Sequence, residues 1–134
     1  MGEGLRVKDQ RGATFVEFAL SAWLLSILLF AIIQYGFLFA AFITIRNASA
    51  VGARQATIAT NNVPAFAKQA LGPMLDPNRA GTTVTLTSTN VSGLAAWRVT
   101  VSYPVPLIPI PLNKIIVPGA TNNTCTLTAT TVMR

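Results

Sequence analysis

The sequence predicts an α+β fold, a long N-terminal transmembrane helix followed by a small antiparallel β-sheet domain. Three observations carry the prediction. Of the 134 residues 51 % are hydrophobic and 10 % charged, too apolar a balance for a small domain surrounded by water. The apolar residues are concentrated: Phe18 to Ile45 contains no Asp, Glu, Lys or Arg, and its polar exceptions are Ser21, Ser26, Gln34 and Thr44. Beyond Thr82 the pattern changes to alternation of apolar and hydroxyl residues, the period of half-buried strands.

The elements follow in order. Residues 1–12, MGEGLRVKDQRG, are short and polar, close on glycine, and read as a cytoplasmic leader peptide. From Ala13 nothing breaks a helix until Pro64, apart from Gly36 and Gly52, which cost about 1 kcal/mol each relative to alanine. A helix over residues 13–60 is therefore expected, with its transmembrane part at about 18–45. At about 1.5 Å per residue those 28 residues extend about 42 Å, against about 30 Å of bilayer hydrocarbon. Small residues recur at spacings of four: Ala22 and Ser26, Gly36 and Ala40, then Ala48, Gly52 and Ala56. That spacing lets another helix approach closely. The stretch RNASAVGARQA lies past the lipid yet stays small and weakly charged, so some surface must cover it.

The remainder, residues 61–134, is expected to form an α+β domain. Asn61, Asn62 and Pro64 mark a break, AFAKQALGPML a short amphipathic helix ending at Gly72 and Pro73, and Asp76-Pro77-Asn78 a turn. Val84 and Leu86 alternate with Thr83, Thr85 and Thr87. Trp97, Val99, Val101 and Tyr103 share a face, as do Cys125, Leu127 and Ala129. Ser92-Gly93 supplies the turn between the first two strands. Five prolines between Pro104 and Pro118 remove amide donors that a sheet interior uses, so residues 104–118 are expected as an extended, polyproline-like loop. Its apolar residues, Leu107 and Ile108 among them, suit packing over the sheet or contact with a partner subunit or the membrane.

Composition also excludes classes of function. The net charge of +6 is spread over a basic cluster, Arg6, Lys8 and Arg11, and seven cations scattered singly. No basic stripe interleaves with aromatics, so nucleic acid is not an expected partner. The cluster instead suits cytoplasmic retention of the N-terminus. There is no histidine, and beyond Glu17 the only carboxylate side chain is that of Asp76. A metal site, a cofactor, a small-molecule substrate and a catalytic pair are accordingly not expected, so the protein does not read as an enzyme. Cys125 is the single cysteine and reads as a small buried residue.

Glu17 supports two readings. Thr14-Phe15-Val16-Glu17 fits the S/T-x-x-E capping box, and a carboxylate in a first turn suits the helix dipole. The second reading rests on Gly12, Ala13, Glu17 as the fifth residue from Ala13, then an aromatic and a long apolar run. That order resembles the prepilin-peptidase site of type IV pilins. The series GATFVEFAL, a long apolar helix, NASAVGARQA, and a V-T-V-x-Y-P strand resembles, more narrowly, the TadE-like minor pilins or pseudopilins of tight-adherence (Tad) pilus systems. The likeness is strong from Arg11 to Ala56 and looser beyond; it departs at Ala50 and Val51, where relatives often carry Arg and Glu.

The resemblance implies a pilin-like fold and cleavage between Gly12 and Ala13 by a prepilin peptidase. It also implies that Glu17 pairs with the N-terminal amine of a neighbouring subunit, and that other pilin or pseudopilin subunits and inner-membrane lipid are partners. The implied location is the bacterial inner membrane, single-pass, N-terminus cytoplasmic and C-terminal domain periplasmic, with incorporation into an extracellular pilus left open. Two alternatives stand beside it: an uncleaved single-pass envelope anchor that binds a partner through its outer domain, and a β domain secreted after removal of a conventional signal peptide.

Overall fold

A computed structural model describes residues 4–72, 74–107, 117 and 123–134, with side chains from residue 12 onward. The order is helix α1 (Gly4–Ile58), a 3₁₀ turn (Thr60–Asn62), helix α2 (Val63–Leu71) and strands β1 (Thr83–Val91), β2 (Leu94–Pro106) and β3 (Thr124–Met133). The fold is therefore α+β, as the alternation and the apolar run require. The chain divides into two units, Met1–Tyr35 and Gly36–Arg134.

In the first unit α1 carries no charged residue from Phe18 onward. Phe15, Phe18, Leu20, Trp23, Leu24 and Leu25 are all exposed. Water would not tolerate such a surface over this length, and hydrocarbon would. Gly12–Ile58 is long and apolar enough to cross a membrane, with a mean hydropathy of 2.3 over its most apolar 18-residue window.

One expectation is corrected here. The capping-box reading placed the start of the helix at Thr14, but α1 already runs from Gly4. Thr14 thus lies inside the helix, and Glu17 is more than three turns from its beginning. Gly12 interrupts nothing, because one interior glycine costs about 1 kcal/mol and no proline or cap ends the segment.

The second unit is built on the C-terminal part of the same helix. Leu38, Ala41, Ile45, Ala48, Ala53 and Ala56 are buried in one apolar cluster with Val63, Ala67 and Leu71 of α2 and Val99, Val101, Tyr103 and Val105 of β2. The α1 positions advance by steps of three, four, three, five and three, the stripe of a helix docked on one side. On α2 the buried residues fall at i, i+4 and i+8, and Pro64 occupies the first turn, where a missing amide proton is harmless. Burying each large aliphatic or aromatic side chain contributes about 1.5–3 kcal/mol.

The sheet is antiparallel in the order β1-β2-β3. Val91 pairs with Leu94, so Ser92 and Gly93 form a two-residue turn, with φ of 54° and 80°. Both positive values belong to the type I′ turn, whose twist suits a hairpin. Val84 and Leu86 on β1, Trp97 to Val105 on β2 at every second position, and Cys125, Leu127 and Ala129 on β3 face the helices. The opposite face is hydroxyl-rich, with Thr100 bonded to Thr130 across the pair at 3.1 Å.

The proline-rich segment also departs from expectation. Residues 108–116 and 118–122 lie outside the described residues, but Pro104 and Pro106 belong to β2 and pair with Thr126 and Thr124. The reason is geometric. The Leu107 amide donates to the Asn123 carbonyl at 2.8 Å, so odd-numbered residues of β2 bond toward β3 and the even-numbered prolines point away. On that side β1 has already stopped, at Thr83 opposite Ser102. No sheet donor is missed. Gly81, at φ 90°, leads into β1 here, and a Cβ on it would lie 3.2 Å from Cγ of Pro104.

Candidate functional site

The residues singled out from the sequence all lie on α1, and the structure separates them into two groups. Gly12, in the helix's third turn, has no atom within 4 Å of where a Cβ would stand. Glu17 is exposed between Phe15 and Phe18, which are 72 % and 69 % exposed. Among the described residues no cation lies within ion-pair distance of its carboxylate. Ala13 and Glu17 are four apart in a continuous helix, so they share a face one turn from each other.

Small residues occupy the same helix further on. Ala22 is half-buried and its carbonyl accepts the Ser26 hydroxyl at 2.8 Å. Gly36 is exposed, with open space around it. Ala40 is half-buried, and its carbonyl accepts from Thr44 Oγ1 at 3.0 Å. These four leave low surface that another helix could approach. The other three are already engaged within the unit Gly36–Arg134. Ala48 and Ala56 are buried, and a Cβ on Gly52 would lie 3.1 Å from Val99 Cγ1 and 3.2 Å from Ala67 Cβ. Gly52 is thus where α1, α2 and β2 meet, and the surface covering RNASAVGARQA is the protein's own sheet and short helix.

One pairing was not read from the sequence. Ser49 is fully buried on α1, and its hydroxyl lies 2.7 Å from Thr131 Oγ1 of β3 while also donating to the Arg46 carbonyl at 2.8 Å. The two residues are 82 positions apart. A signal for it existed: continuing the alternation of Cys125, Leu127 and Ala129 puts Thr131 on the inward face, where a hydroxyl requires a partner.

Compared with known proteins, residues 12–54 match the family model described as TadE-like protein. No curated protein and no solved structure matches the chain. The matched segment opens at Gly12 and closes two residues after Gly52, so it takes in Glu17, Ser49 and the small-residue positions up to Gly52.

Proposed function

We infer that this chain, TadE-like over residues 12–54, is a minor pilin or pseudopilin subunit that serves assembly or initiation of a Tad-type pilus at the bacterial inner membrane. The observation that carries the reading is the coincidence of three features at one place: the family match begins at Gly12, the long apolar helix follows it, and a single exposed carboxylate stands four residues after Ala13.

The chemistry follows from that arrangement. A prepilin peptidase cuts between Gly12 and Ala13 on the cytoplasmic side. The bond lies in helix, and a protease needs it extended; glycine makes that local unwinding cheaper by about 1 kcal/mol than alanine would. Cleavage removes the basic leader and creates an ammonium at Ala13. It also turns residues 13–16 into a helix N-terminus with unbonded amides, so that Glu17 then sits near the positive end of the dipole. An ionised carboxylate inside a bilayer costs about 3 kcal/mol or more unless paired. The ammonium of a neighbouring subunit supplies that pair and thereby fixes the stagger between subunits. Ala22, Ser26, Gly36 and Ala40 remain available for lateral helix packing, whereas Ala48, Gly52 and Ala56 hold the subunit's own sheet to its helix. The role is architectural, and the periplasmic sheet supplies specificity.

The test is the N-terminus of the protein isolated from membranes, read by mass spectrometry. A chain beginning at Ala13 supports the pilin reading. A start at Met1 or Gly2 supports instead the uncleaved envelope anchor, for which an unbroken α1 across Gly12 and Ala13 is equally suitable.

A further inference from the structure

The unit Gly36–Arg134 shares part of the apolar run. The apolar run closes at Ile45 and Arg46 is the first cation after it, so its last turns, Leu38 to Ile45, reach the headgroup–acyl boundary. In this unit one side of that segment is built into the domain, with Leu38, Ala41 and Ile45 buried in its core. The other sides expose Phe39, Phe42 and Ile43. Whatever else lies beside Leu38 to Ile45 is carried to the same depth.

The turn after α2 lies there. Thr44 Oγ1 is 3.7 Å from the Met74 sulfur. Leu75 is buried and its amide donates to the Leu71 carbonyl at 3.2 Å, so the turn is held in place while Met74 stays 51 % exposed. Arg46, exposed two residues beyond Thr44, is the first cation after the apolar run, and its long stem lets the guanidinium reach phosphate oxygens. From Gly36 onward the sequence has seven Lys and Arg against one carboxylate side chain, Asp76. Among the described residues none of those cations is in an ion pair.

We propose that this unit is seated on the bilayer by a second contact besides the spanning helix. Met74 joins Phe39, Phe42 and Ile43 in the headgroup–acyl boundary, and Arg46 stands at phosphate level. The occupant of this apolar patch is the phospholipid leaflet from which α1 emerges, favoured by continuity with the apolar run and by the unit's positive charge. The proposal rests on the reading that α1 spans a membrane.

The experiment uses the full chain with Cys125→Ala, reconstituted into phosphatidylethanolamine/phosphatidylglycerol vesicles. An environment-sensitive fluorophore is placed in turn at Ile32→Cys, Met74→Cys and Thr128→Cys, all exposed positions. The expected result is a blue shift, and loss of intensity in brominated phospholipid, at 32 and 74 but not at 128. If 32 responds and 74 behaves as 128 does, the second contact is overturned and the spanning helix stands. Should all three remain aqueous, the spanning reading fails and takes the proposal with it. A label at 74 that is indifferent to brominated lipid, yet shielded from aqueous iodide until the protein is diluted in lipid, would show a second copy covering the patch and overturn the proposal.

Discussion

Replacing Gly52 by alanine sets two effects of known size against each other. In an open helix the change stabilises by about 1 kcal/mol, because alanine restricts the unfolded chain and is the better helix former. At Gly52 the new methyl meets Val99 Cγ1 at 3.1 Å, Ala67 Cβ at 3.2 Å and Val63 Cγ1 at 3.7 Å. Two of those are tighter than ordinary contact. Ala67 has no side-chain torsion with which to retreat, and Val99 is on the central strand, held on both sides by Leu86 and Thr131 and stiff at χ1. Relief requires α2 to shift, and overpacking of this kind costs about 1–3 kcal/mol.

The net expectation is a loss of about 1 kcal/mol, which for a unit of this size lowers the thermal midpoint by roughly 4–8 °C. Gly36→Ala, with nothing within 4 Å, should raise the midpoint instead. The assay is thermal unfolding of the full chain in detergent, followed by Trp97 fluorescence in a Trp23→Phe background. Equal upward shifts for the two variants would refute the close approach of α1, α2 and β2 at Gly52.

Ser49→Ala and Thr131→Ala should each cost about 1 kcal/mol, and their double-mutant cycle should show coupling of about 0.5–1.5 kcal/mol; additive losses would remove the bond between α1 and β3. Gly12→Trp should leave the leader attached, seen as a heavier chain by mass spectrometry, and normal processing would sink the proposed cleavage site. Glu17→Gln should insert in the membrane normally but fail to enter pili in an incorporation assay. Unchanged incorporation would leave the carboxylate without a role in assembly.

Much of this fold is legible in the residues because its signals are local. Alternation in TVTLTSTN, AWRVTVSY and TCTLTATT fixes which side chains face the helices, and Ser92-Gly93 is a turn on backbone grounds alone. The start of α1 is not legible: leader and helix differ in polarity, but polarity does not end a helix, and only a cap, a proline or tertiary contact would. Prolines at 104 and 106 argue against a strand only if their amides face a neighbour, and that depends on where β1 stops. The small-residue stripe shows close packing without naming the partner. At Gly52 the partner proves to be Val99 and Ala67 of the same chain, and that assignment needed the sheet's register.

Pro104 and Pro106 also govern what can happen when two molecules of this chain meet. A strand that projects past its neighbour offers an open row of donors and acceptors, and at high local concentration in a membrane such rows invite one sheet to zip onto the next. On the overhang of β2 the donors at alternate positions have been deleted by the proline rings, while the remaining amides are turned toward β3. Rogue intermolecular sheet growth is thereby shut out along that margin, so molecules crowded in the same membrane can meet there without fusing into a cross-β deposit.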